Sequence, residues 1–312
     1  MHLPDGFLDA KTWATMDVAS AGVIAYAVKK TSEKFEDKQV PVMGVVAAFV
    51  FAAQMLNFPV LGGTSGHLVG AVLAAVLLGP WAATLVMTSV FIIQALFFQD
   101  GGIMALGANI FNMGIIGTVA GYYIFSYVRS HFDSDKGLLF GVFVASWISV
   151  VLAAVFTALE LAFSGTSPTK VVVPAMATVH VFIGLGEAII TTAIVSFILK
   201  VRRDLVYGVS EQTKYEKRAL PVVVAIIVML ILLSPFASSF PDGLEKAAEV
   251  HSFAGKASIV LKTAMADYAL PGVANASLST IIAGAIGAVL VFALAFTAGR
   301  SIMFKRKRRS AS

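Results

Sequence analysis

The sequence predicts an all-α polytopic membrane protein, and three observations carry that class. Hydrophobic residues make up 58% of the chain and charged residues only 13%. The mean hydropathy is +0.86, which is more apolar surface than a soluble domain of this length can hide. The apolar residues also fall into runs near the roughly 20 residues that a helix needs to cross a bilayer. Cysteine is absent, which removes disulfides, cysteine zinc sites and thiol catalysis. The net charge of +5 makes no face for nucleic acid, because the basic residues sit between apolar runs.

Nine spans are expected, at about 13–28, 40–57, 67–80, 81–98, 106–128, 138–163, 172–199, 219–237 and 279–299. They divide into a bundle of about seven helices followed by two C-terminal transmembrane helices. Charged or turn-forming stretches separate them: Lys29 to Gln39, Gly79-Pro80-Trp81, Asp100-Gly101-Gly102, Arg129 to Lys136, Ser164 to Lys170 and Lys200 to Arg218. A longer polar segment, 238–278, precedes the last span. Eighteen of the 23 basic residues fall on one side if the N-terminus is outside and the C-terminus inside, which the positive-inside rule favours. The basic run from Lys305 to Arg309 then reads as a stop-transfer anchor at the membrane lipid.

The third span is short. Thirteen residues from His67 to Gly79 give about 20 Å of helix, against a hydrocarbon core of roughly 30 Å. The preceding Pro59 to Gly66 is rich in glycine and not expected to be regular helix. Irregular backbone at membrane depth is tolerated where it is buried in protein or lines a cavity. His67 is therefore expected in the wall of an outward-facing cavity.

The opening Met1-His2-Leu3-Pro4-Asp5-Gly6 has no basic n-region and no apolar h-region, so it does not read as a secretory signal. The Met1 α-amine, the His2 backbone nitrogen and the His2 imidazole have the spacing to close adjacent chelate rings around one metal ion. His67 is positioned to add a fourth nitrogen, and four nitrogens in a plane suit Ni(II) or Cu(II). The large second residue is expected to protect Met1 from removal. Of the other histidines, His131 and His251 fall in polar segments. His180 and Glu187 lie two turns apart on one helical face, and ionisable residues inside a membrane are functional suspects, although a packing pair satisfied by polar neighbours is the favoured account of them.

The stretches MHLPDGFL (1–8), GGTSGHL (62–68) and QALFFQDGGIMALGANIFNM (94–113) resemble, in order, the nickel/cobalt substrate-binding (S) membrane subunits of energy-coupling-factor transporters, the NikM/CbiM family. The resemblance runs through residues 1–205. PDGLEKAAE (241–249) and YALPGV (268–273) resemble the small NikN-type accessory module, here fused after a cytoplasmic linker at 206–218 and occupying 219–312. The resemblance implies capture of Ni(II) or Co(II) outside a prokaryotic cell and delivery across the cytoplasmic membrane. It implies Met1, His2 and His67 as metal ligands and no organic cofactor. Its partners would be a transmembrane coupling subunit and ABC-type ATPases, since this chain has no G-x-x-x-x-G-K-[ST] phosphate cradle.

Gln54, Asn57, Gln94, Asn109, Asn112, His180 and Glu187 are expected to support the ligands, because polar groups in a span need partners. Gly114, Gly117 and Gly121 offer either a docking face for a partner helix or internal packing. Two rival functions make different demands on the sequence. A stand-alone secondary transporter predicts internal repeats and broken helices, and no convincing repeat is present. An intramembrane metalloprotease needs H-E-x-x-H, which is absent. A Co(II)-specific subunit supplying cobalamin synthesis is the nearer alternative.

Overall fold

The computed structural model describes residues 1–132, 134–208 and 219–311, leaving aside the side chains of residues 34, 219, 220 and 307–311. Most of the expected linker, from 209 to 218, lies outside the described residues. The fold is a helical membrane bundle, and local chemistry sets its elements. Helix α1 (Ala10–Lys34) starts where the Asp9 carboxylate accepts from Thr12 N at 2.9 Å. Helix α2 (Gln39–Gln54) follows a short charged turn. The glycine-rich stretch that was expected to be irregular forms a small antiparallel hairpin, β1 (Phe58–Val60) and β2 (Thr64–Gly66). This is an exception to the all-α class that strands of three residues do not announce in a sequence.

Helix α3 is only Ala71–Leu78, with every residue buried. The span expected at 67–80 is thus a short internal helix preceded by an extended segment, not a crossing helix. Its limits are set by Gly70 and Gly79, whose φ values of 77° and 76° lie in the left-handed region that favours glycine. Helix α4 (Pro80–Phe98) starts with proline in its first turn and ends in a π-helical turn over Gln94–Phe98. Helix α5 (Leu106–Arg129) contains eleven residues of π-helix, Ile110–Ala120. Helices α6 (Asp135–Phe163) and α7 (Thr169–Val201) make the most extensive helix pair.

The second part contributes α8 (Ala219–Leu233), the short α9 (Gly243–Val250) and the long α10 (Ala276–Ala311). Among the described residues five helices are long and apolar enough to cross a membrane, those beginning at Pro80, Leu106, Asp135, Thr169 and Ala276. The apolar helices Gln39–Gln54 and Pro221–Phe236 are shorter. Helix α10 lies along α2 and α4, while α9 packs on α7 and β2. Two parts far apart in sequence therefore share one packed body.

The glycines expected to offer a docking face are buried inside that body. A Cβ on Gly117 would stand 2.5 Å from the Ala71 Cβ, and one on Gly121 2.6 Å from the Val72 side chain. Gly114 faces Phe91. Gly117 and Gly121 let α3 approach α5 and Gly114 packs toward α4, so close internal packing, and not a free partner surface, explains them.

Candidate metal centre

Residues 1–9 precede α1 and run as an extended segment into the bundle. Leu3 is fully buried, Met1 is 5% exposed and Asp5 5% exposed. Burying extended backbone requires partners for its polar groups, and each alternate residue has them. Leu3 N donates to Asn109 Oδ1 at 2.7 Å, and Leu3 O accepts from Asn109 Nδ2 at 3.0 Å and Gly102 N at 2.8 Å. The Asp5 carboxylate accepts from Ile103 N at 3.2 Å and Met104 N at 2.8 Å. Asp5 O accepts from Ser258 N at 2.8 Å. Gly6 turns the chain with φ 88°, and a Cβ there would meet Lys256 O at 2.1 Å.

The first two residues meet His67 at the inner end of this segment. The imidazoles of His2 and His67 stack with centroids 5.4 Å apart and planes 23° apart. His67 Nδ1 lies 3.2 Å from the Leu68 carbonyl, which leaves Nε2 as its unengaged nitrogen. Met1 and His67 line one small cavity with Ser65, His180, Asp242 and Gly243. The enclosed space is about 10 Å³, the scale of one ordered water.

Two carboxylates hold this group. The Met1 amine pairs with Asp242. The other Asp242 oxygen accepts from Leu244 N at 2.8 Å and Glu245 N at 2.9 Å, capping α9. The Glu245 carboxylate returns to Asp242 N at 2.8 Å and completes a capping box. Burial alone would raise the Asp242 carboxyl, but the terminal ammonium overrides it and holds the group well below the usual range. The second carboxylate is Asp100. Its Oδ1 lies 3.2 Å from His2 Nδ1, and its Oδ2 accepts from the Tyr268 hydroxyl at 2.6 Å. Burial lowers His2 below its ordinary 6.5, against the opposing pull of Asp100. A neutral imidazole follows at neutral pH, and neutral nitrogen is what a metal needs.

The supporting residues named from sequence divide clearly. Asn109 clamps Leu3. Gln94 Nε2 donates to Gln54 Oε1 at 2.7 Å, and Gln54 Nε2 donates to Val69 O at 2.8 Å. Glu187 accepts from Val69 N at 2.6 Å and Gly70 N at 2.9 Å. His180 lines the cavity and rests against Gly243, while its Nδ1 bonds the Met176 carbonyl at 2.7 Å. Asn112 is drawn elsewhere, to Glu160 Oε2 at 2.7 Å. Asn57 contributes its carbonyl to Ser238 N at 2.8 Å and does not line the cavity.

Sequence reasoning missed Asp100, Asp242 and Tyr268. Asp100 and Asp242 stand in Asp-Gly turns and read as punctuation. The Asp242-to-Glu245 spacing was the available signal, since an acidic residue three positions after a capping residue marks a helix start. Among the described residues no three His, Cys, Asp or Glu side chains cluster as a metal site.

Comparison with known proteins bears on that geometry. Residues 2–205 match the CbiM family, described as a cobalt uptake substrate-specific transmembrane region. The chain belongs to this family. Residues 216–303 match the PDGLE domain. A protein of Archaeoglobus fulgidus provisionally named fused nickel transport protein NikMN is 38% identical over 304 residues, covering 96% of this chain and 98% of its own. The fused nickel transport protein NikMN of Rhodobacter capsulatus is 29% identical over 345 residues, covering 98% and 99%. A crystal structure of a truncated transition metal transporter superposes with a TM-score of 0.58 at 38% identity, covering 64% of this chain and 99% of that one. The CbiM and PDGLE parts of this chain meet at the buried first residue, where Asp242 of one holds Met1 of the other.

Proposed function

We propose that this chain captures Ni(II), or Co(II), outside the cell and delivers it across the cytoplasmic membrane as the substrate-specific subunit of an ATP-driven importer. ATP hydrolysis and coupling reside on separate subunits. Residues 1–205 form the metal-binding part, 206–218 a cytoplasmic linker, and 219–312 an accessory module whose segment 238–278 lies outside. The metal is held by the Met1 amine, the backbone and imidazole nitrogens of His2, and His67. Nickel is the preferred substrate, because a planar four-nitrogen set favours it and relatives sharing both parts carry nickel in their names.

The observation that carries this reading is the burial of a flexible-looking N-terminus with its amine and imidazole beside a second imidazole. A polar tail with no task has no reason to be threaded into a bundle, given the ordering entropy it costs. Equilibrium dialysis with Ni(II) on the purified full chain tests it. One ion per chain is expected, and none in His67→Ala; undiminished binding by that variant would refute the ligand set.

The accessory module acts on the N-terminus. It supplies Asp242 to the amine, Tyr268 to the Asp100 carboxylate beside His2, and Ser258 to Asp5. Removing residues 238–312 is expected to slow uptake and increase N-terminal mobility. Unchanged uptake together with unchanged mobility would contradict this role.

A further inference from the structure

His67 is weakly tied by its own side chain. Its ring touches one carbonyl at 3.2 Å and stacks on His2. Its place is therefore set by the main chain on either side of it, β2 before and the stretch after that ends on Glu187. The Glu187 carboxylate is 1% exposed and takes two consecutive amides, Val69 N at 2.6 Å and Gly70 N at 2.9 Å. Gly70 is also the N-cap of α3, so the carboxylate sits at a helix N-terminus, where negative charge is favoured. Among the described residues no cation pairs with it; those two amides are its hydrogen-bond partners.

The same peptide leads to the other histidine. The Val69 carbonyl accepts from Gln54, and Gln54 accepts from Gln94. The remaining Gln94 oxygen and His2 Nε2 are both buried without a hydrogen-bond partner, and the Gln94 amide lies within interacting range of His2. A buried polar chain thus runs from Glu187 through Val69 and Gln54 to Gln94, which lies beside His2. Networks of this kind rigidify when satisfied. We propose that Glu187 is the positioning residue that fixes His67 relative to His2 through this chain, and so sets the preference of the site for a metal that accepts four nitrogens in a plane.

This rests on the ligand set proposed above, and the experiment separates the two. On the full chain, amide hydrogen exchange over residues 67–71 is measured without metal, and Ni(II) and Co(II) are then competed for binding. Glu187→Ala is expected to speed exchange at Val69 and Gly70 at least tenfold. It is expected to lower the Ni(II)-over-Co(II) ratio at least tenfold relative to the unsubstituted chain while both metals still bind. Glu187→Gln keeps the side-chain volume and one acceptor but turns a donor toward the second amide, so an intermediate shift is expected. Gln54→Met interrupts the chain at a different point, preserves volume, and is expected to shift the ratio in the same direction. It serves as the test if Glu187→Ala does not fold. Equal weakening of both metals, or slow exchange with an unchanged ratio, overturns the positioning role. His67→Ala must lose both metals; if it binds them undiminished, the ligand set itself fails.

Discussion

Residues 1–9 and helix α10 are opposites. The first has no helix or extended sheet and carries polar groups, yet it is threaded into the bundle with Leu3 fully buried. The second is unbroken helix from Ala276 to Ala311, and only 33% of its apolar window is buried inside the protein. In water apolar residues seek the interior, but in a bilayer lipid takes their place and burial no longer tracks hydropathy. What goes inside is what must be satisfied or must do chemistry. The N-terminal segment qualifies because Asn109, Ser258 and Asp242 answer its polar groups. Helix α10 answers its own backbone and needs only a surface to lie on.

The widest gap between the two regions should appear in metal binding. His2→Ala removes an imidazole and is expected to weaken Ni(II) at least 100-fold, about 2.7 kcal/mol, in a dialysis titration. Val289→Ala on α10, where the side chain is 67% exposed, should leave the titration unchanged. Backbone strain comes next. Gly6→Ala places a Cβ against Lys256 O at φ 88° and is expected to cost about 2 kcal/mol in reversible unfolding, with added proteolysis near residue 6.

Acid sharpens the contrast further. Ligation needs neutral nitrogen, so each proton displaced by the metal weakens binding about tenfold per pH unit on acidification. Because burial holds His2 below 6.5, its own protonation competes only at lower pH than for a free histidine. A titration of affinity against pH should therefore steepen below 6.5, and a break at 6.5 itself would argue for an exposed ring. Asp242→Ala removes a helix cap worth about 1 kcal/mol and frees the amine. Its stability loss is expected to vanish at pH low enough to protonate Asp242, since a depressed carboxyl stabilises only while ionised. The smallest effect is Val289→Ala on stability, within about 0.5 kcal/mol.

Much of the frame is legible in the sequence. The Gly79-Pro80 break and the approximate limits of α6 and α7 follow from residue type and apolar run length. His67 was placed by an argument from span length, although the short span proved to be an internal helix, α3. The hairpin at 58–66 and the π-helical part of α5 were not legible, because tertiary contacts select them over ordinary helix. The candidate site shows the sharper limit. Met1 and His2 offer three nitrogens at chelate spacing, whereas the partner of the amine lies 241 residues away. No local pattern carries a contact of that separation. Glu187 was visible as an ionisable residue in a span, but not as the group that takes the two amides after His67. Glu160 drew Asn112 out of the expected supporting set in the same way.

The proposed metal site depends on the free amine of Met1. Adding two residues ahead of Met1 keeps every residue of the chain, turns the free amine into an amide and releases its ion pair with Asp242. With Ni(II) titrated into the purified, folded full chain, stoichiometric binding is expected to disappear in the extended protein and to persist in the unextended one. Equal stoichiometric binding by both would contradict the claim that the first residue closes the metal site.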